Sequence, residues 1–244
     1  GVRTNVEMQD VRFTHASNGI AAGNTLEEAI IQATCEVWER HCLAGTVQDT
    51  KRLYNTISID SIHHDTLKSQ IKDIKDKGYN LYIKDIGLGI LPVLGVLYEN
   101  IEKPESDPTK YSYFCAGAFD SDIALMRCLT EKIQAGCNSE GATVSGMESL
   151  TDNGRTNIDI THLKGGRVID YKPWRSDSVL SDLYEIRAIC LELGVDHNFV
   201  ILGEKYLPVV QVVIRGQSEM TPFYGHKEEE LDNVINAGKI LLEW

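Results

Sequence analysis

No run of this chain is both long and apolar enough to span a bilayer, because the longest, Ile86 to Leu97, is broken by Gly87, Gly89 and Pro92. No signal-peptide pattern opens the sequence either. Cationic excess is missing too: 24 Lys and Arg stand against 36 Asp and Glu, a formal charge of -12. A general nucleic-acid binder needs the reverse balance. The six cysteines, Cys35, Cys42, Cys115, Cys128, Cys137 and Cys190, contain no CxxC pair, which suits reduced, partly buried thiols in a cytoplasmic protein better than a disulfide frame or zinc site. The expectation is a soluble, cytoplasmic protein with neither membrane nor nucleic acid among its partners.

The common nucleotide and hydrolase signatures are absent as well. Gly87-Leu88-Gly89 has Pro92 where a dinucleotide loop needs its third glycine, and Gly238-Lys239-Ile240 lacks the upstream glycine and the Ser/Thr of a phosphate loop. There is no HExxH and no GxSxG. His63-His64-Asp65 can bind a metal adventitiously or stand as a solvated helix cap. Cys35 has no histidine placed by sequence to activate it, so it reads as a buried thiol, and no catalytic nucleophile is assigned.

What is present is ordinary globular material: 244 residues, 42% hydrophobic and 25% charged. Val11 to His15 reads as a short strand, followed by the turn residues Ser17-Asn18-Gly19 and a long helix from about Thr25 to Leu43. A second helix is expected near Asp65 to Asp76, ended by Gly78. Strands are expected over Tyr79–Ile86, Val93–Glu99 and Tyr111–Ala118, and a helix capped by Asp120 and Ser121 runs to about Gly136. Residues 138–174 show no periodicity and carry Gly141, Gly146, Gly154, Gly165 and Gly166, the pattern of a long irregular excursion. A helix over Leu180–Leu193 capped by Gly194, then strands over Asn198–Leu202 and Val209–Ile214, complete the reading. This order argues α+β, with a mixed or mostly antiparallel sheet packed with helices.

On the long helix, Leu26, Ile30, Ala33 and Val37 fall on one stripe, the expected core face. Glu28, Gln32, Glu36 and Glu39 fall on the other side, with Arg40 beside them. Like charges at this spacing repel, so the row asks for a cation over it or for solvent around it. Thr25 to Glu28 also fits a capping box, which gives Glu28 a purely structural use. On the helix near residues 121–136, Arg127, Glu131 and Gln134 share a stripe with Ala124 beside them, while Leu125, Leu129 and Ile133 face the other way. Converging carboxylates would make a hard-oxygen site for Mg²⁺; an exposed Arg127–Glu131 ion pair is the plainer alternative.

The run Ser17-Asn18-Gly19-Ile20-Ala21-Ala22-Gly23-Asn24-Thr25, then Glu28-Ala29, then Glu36-Val37-Trp38-Glu39-Arg40-His41, resembles the signature helix of the YcaO family. Ala124 to Arg127 with Thr130-Glu131 and Gln134, the Phe114–Phe119 stretch, and Pro208 to Gly216 resemble later segments in the same order. The resemblance implies an α+β domain that binds ATP and Mg²⁺ without a phosphate loop. It implies activation of a peptide backbone amide by phosphorylation of its oxygen, leading to azoline rings or thioamides. The stand-alone form associated with ribosomal-protein β-methylthiolation is the most similar branch, since Arg215-Gly216 replaces Pro-Gly and no proline-rich tail follows.

By matching position, the resemblance gives Asn24, Glu28, Arg40 and Arg127 to the nucleotide and Glu36, Glu39 and Glu131 to the metal. It implies a peptide or protein substrate, such as a ribosomal protein, a partner modification enzyme, and a possible homodimer. Residues 1–244 are expected to be one YcaO-like domain, the C-terminal part of a longer protein, because the family's earlier nucleotide-binding glutamate motif has no counterpart before Ser17. A catalytically silent or partner-recruiting domain with an incomplete ATP site is the competing expectation.

Overall fold

The computed structural model describes the backbone of residues 18–49, 51–107, 109–136 and 161–214, and their side chains except at 47, 48 and 134–136. The strand expected at Val11–His15, the Arg215-Gly216 pair and Cys137 lie outside the described residues. In chain order the first elements are β1 (Ile20–Ala22), α1 (Leu26–Gln48), β2 (Asn55–Ile57), α2 (Asp65–Asp76), β3 (Tyr79–Asp85) and β4 (Val93–Asn100). β5 (Tyr111–Gly117), α3 (Ser121–Gly136), β6 (Val168–Ile169), α4 (Val179–Leu193), β7 (His197–Gly203) and β8 (Val209–Ile214) follow. The fold is α+β, as expected. The chain divides into two compact units, residues 1–44 with 176–244, and residues 45–175.

In the first unit the strands run β1-β8-β7, antiparallel throughout. Within the same unit, α4 starts on a capping box between Ser178 and Ser181 and ends at Gly194 in the left-handed region (φ 66°). Its apolar residues Leu183, Ile186 and Cys190 are buried.

In the second unit the order is β5-β4-β3-β2-β6, antiparallel except for the parallel pairing of β2 with β6. One sheet face is apolar. Leu67, Ile71 and Ile74 of α2 and Leu125, Cys128 and Leu129 of α3 pack there against Leu81, Ile83, Val96 and Phe114. The expected excursion after residue 138 thus returns, in its described part, as a 3₁₀ turn at Thr161–Lys164 and the strand β6. A two-residue strand has no periodicity of its own to read; it exists because β2 offers it partners.

The opposite sheet face sets polar side chains among buried apolar ones such as Leu97 and Cys115. Glu99 on β4 is 8% exposed and accepts hydrogen bonds from Lys164 Nζ (2.7 Å), Tyr82 Oη (3.0 Å), Tyr111 Oη (3.2 Å) and Asn80 Nδ2 (3.3 Å). Burial pushes its carboxyl pKa up, but these donors, Lys164 first, outweigh burial and hold it at about 2. The folded pKa lies below the unfolded one, so the stabilisation is complete above the ordinary carboxyl range and is lost as pH falls towards about 2. Replacing Glu99 with Gln is expected to cost about 2–3 kcal/mol in urea denaturation at neutral pH. The deficit should shrink in acid, as the wild-type carboxyl takes up its proton.

Candidate functional site

The signature segment is first a device for starting α1. Gly19 sits in the left-handed region (φ 70°), and a Cβ there would lie 2.4 Å from the Val212 carbonyl oxygen and 2.8 Å from Val37 Cγ2. Its own carbonyl accepts from Val212 N at 2.8 Å. Gly23 allows an equally close approach, since a Cβ would meet Ala29 N at 2.5 Å, and its N–H donates to the Pro208 carbonyl. Only glycine lets β8 and the helix start come this near the turn.

At the helix start, Glu28 Oε2 accepts from the Asn24 backbone N–H at 2.9 Å, while Glu28 N–H donates to Thr25 Oγ1 at 3.2 Å. This is the capping arrangement expected from Thr25 and Glu28, with the carboxylate reaching one residue further back than a standard box. A nucleotide contact at Glu28 therefore has to compete with the Asn24 amide. Asn24 itself is exposed.

Further along, the expectation of a one-sided helix needs correcting. Ile30, Ala33 and Val37 are buried as expected, but Ala29, Cys35, Glu39 and Leu43, on other sides of the helix, are buried too. A helix enclosed on most of its circumference is a core element, so its carboxylates are not a solvated acidic face. Glu39 is 3% exposed. Glu36 and Arg40 are half-buried and lie 3.9 Å apart as an i, i+4 pair. The Nε of Arg40 and the Nε1 of Trp38 are buried without hydrogen-bond partners among the described residues. The sequence reading missed Trp38; its only signal was an indole set between carboxylates on the helix.

In the second unit, Arg127 Nη1 donates to the Gly117 carbonyl at 3.0 Å, tying α3 to the end of β5. Asp120 Oδ1 accepts from Asp122 N at 2.8 Å and Ile123 N at 3.4 Å, the cap expected at this helix start. Arg127 and Glu131 are half-buried. The side chain of Gln134 lies outside the described residues. One detail differs from the stripe reading: of the three residues facing the other way, Leu125 and Leu129 are buried but Ile133 is 51% exposed. Ala124, Leu125, Cys128 and Leu129 are the α3 residues that join the core.

The donor set on α1 fits a nucleotide-carried Mg²⁺. Such an ion is commonly held by one or two carboxylates with phosphate oxygens completing its shell. Glu36 and Glu39 are neighbours at the i, i+3 spacing, and the guanidinium beside them has a buried N–H in want of an acceptor. Among the described residues, no three His, Cys, Asp or Glu side chains gather into a metal cage.

The profile of the YcaO family, described as YcaO cyclodehydratase, ATP- and Mg²⁺-binding, matches residues 3–218. The chain belongs to the YcaO family. ATP and Mg²⁺ are that family's cofactors. Among solved YcaO-like structures, the heterocyclase TruD aligns with a TM-score of 0.67 at 20% identity, over 91% of this chain and 32% of its own. A heterocyclase in complex with substrate and cofactor aligns at 0.66 and 21% identity, over 83% of this chain and 28% of its own. YcaO from Methanopyrus kandleri, bound with AMPPCP and Mg²⁺, aligns at 0.60 and 18% identity, over 86% of this chain and 58% of its own. At these identities the likeness is one of fold. An uncharacterised protein of Haemophilus influenzae is 29% identical over 121 residues, 49% of this chain and 20% of that protein. This YcaO chain therefore spans between a fifth and three fifths of the length of these relatives.

The cap at the start of α1 gives a direct check. Thr25→Ala is expected to lower stability by about 1 kcal/mol in urea melts.

Proposed function

We propose that this chain provides the nucleotide-binding part of an ATP- and Mg²⁺-dependent enzyme that activates a peptide backbone amide. The observation that carries the reading is the signature segment on α1 of a YcaO family member, where the Arg40 Nε is buried without a partner among the described residues and the guanidinium lies 3.9 Å from Glu36.

Bound ATP with Mg²⁺ supplies the phosphoryl group that makes the amide oxygen a leaving group. Glu36 and Glu39 on α1 would hold the ion through carboxylate oxygens, with Arg40 neutralising phosphate oxygens and Asn24 and Glu28 orienting the nucleotide from the helix start. The family resemblance gives Glu131 and Arg127 of α3 to the metal and the nucleotide in turn. The task of these residues is positioning and charge neutralisation rather than covalent chemistry. A side-chain or sulfur nucleophile forms a bond to the amide carbon, and the C–O bond breaks as phosphate departs.

The substrate on this reading is a peptide or protein. Arg215-Gly216, in place of Pro-Gly, disfavours the ring-forming branch, which leaves thioamide formation or the stand-alone form associated with ribosomal-protein β-methylthiolation, with a ribosomal protein or a partner modification enzyme as partner. The five described cysteines are all free and buried, which suits the reducing cytoplasm.

ATP should bind only with Mg²⁺, because the carboxylates repel phosphate without a cation between them. Calorimetry giving equal affinity with and without Mg²⁺, or no binding at millimolar nucleotide, overturns the reading. Glu36→Gln should keep the apo melting temperature and lose the rise caused by Mg-ATP. A mutant that keeps the full rise shows that Glu36 holds no metal. Release of phosphate from ATP separates an active enzyme from a silent, partner-recruiting domain, which would bind without turnover.

A further inference from the structure

Lys84, on β3, is fully buried, and the mechanism above does not use it. Its amine nitrogen donates to Thr56 Oγ1 on β2 and to the Gly165 carbonyl, both neutral acceptors. No carboxylate pairs with it among the described residues. What covers it is the start of the strap that follows the 3₁₀ turn: a Cβ on Gly166 (φ 114°) would lie 3.4 Å from Lys84 Nζ and 2.0 Å from the Tyr54 carbonyl oxygen.

The strap is held at both of its ends. At the far end, Tyr171 Oη donates to Asp122 Oδ1 (2.6 Å), and Ser121 and Trp174 exchange two hydrogen bonds near 3 Å. At the near end, β6 contributes two residues of parallel pairing, with Thr56 N donating to Arg167 O and Ser58 N to Ile169 O. Thr56 Oγ1 also donates to the Gly165 carbonyl at 3.3 Å, and it is this end that lies over the buried amine.

We propose that residues 165–169 form a proton-operated strap, which covers Lys84 when the amine is neutral and is driven off β2 when the amine takes up a proton. The proposal goes beyond the ATP reading and does not depend on it.

Burial lowers the Lys84 pKa to about 8. A group that binds its proton less tightly when covered makes covering more favourable as pH rises, here from about 8 towards the ordinary lysine value. The other titratable groups on the surrounding elements have engagements of their own. Asp85 accepts from Gly87 N, and Tyr113 on β5 is fully buried. His162 bonds the Thr46 carbonyl, Lys164 pairs with Glu99, and Arg52 stacks over Tyr54. Cys115 lies in the same cross-strand row as Lys84 and Gly95, and Arg167 carries the carbonyl that Thr56 N bonds.

The test is amide exchange at Thr56 and Ser58 in the whole chain. Their protection factors should rise roughly tenfold between about pH 7 and about pH 9.5 and be insensitive to low urea, the mark of a local opening. In Lys84→Met, and in Lys84→Arg where the charge persists, protection should not change with pH. The proposal is overturned if both amides move only with those of the β3–β4 ladder, if wild-type protection is flat, or if either folded variant keeps the pH dependence. Should neither variant fold, nitrogen NMR of Lys84 in the wild type decides. A midpoint near 8 that tracks exchange supports the strap, and a midpoint at the ordinary lysine value overturns it.

Discussion

The arrangement of α1 depends on holding charge inside a helix that the protein encloses. Ala29, Cys35, Val37 and Leu43 point in different directions from its axis and all are buried, yet Glu36, Glu39 and Arg40 are woven among them. Three ionisable groups within two turns of a core helix oppose folding unless their charges answer one another or a ligand. The Glu36–Arg40 pair at 3.9 Å is a partial answer, since a contact that long adds little hydrogen bonding. The helix thus brings two carboxylates and a guanidinium together within little more than one turn.

The same constraint explains why the preceding segment is so particular in sequence. A helix that must start at one place against β8 needs a chain path with no room for side chains at Gly19 and Gly23. The two glycines, the Thr25–Glu28 cap and the pairing of β1 with β8 act together to set where the first carboxylate falls. Stability and site construction are here one piece of geometry.

The second unit shows two solutions to burying charge on a sheet face. Glu99 is surrounded by donors and becomes a stronger acid, while Lys84 is given only neutral oxygens and becomes a weaker base. The first arrangement adds stability. The second subtracts it, and the cost falls on the segment that covers the amine.

The sequence by itself determined what rests on local periodicity and local hydrogen bonding. The span Asp65–Asp76, the strands β3 to β5 and β8, the Gly194 cap and the Thr25–Glu28 box were all legible, because helix and strand repeats and caps involve residues a few positions apart. The motif on α1 was legible as a resemblance, since its order of residues is long and specific. Tertiary structure decided the rest. β1, β2 and β6 are two or three residues long and exist through partners distant in sequence. The burial of Glu39, the exposure of Ile133 and the burial of Lys84 under Gly165 and Gly166 depend on which surfaces meet. Periodicity tells which residues share a face; only packing tells whether water reaches it.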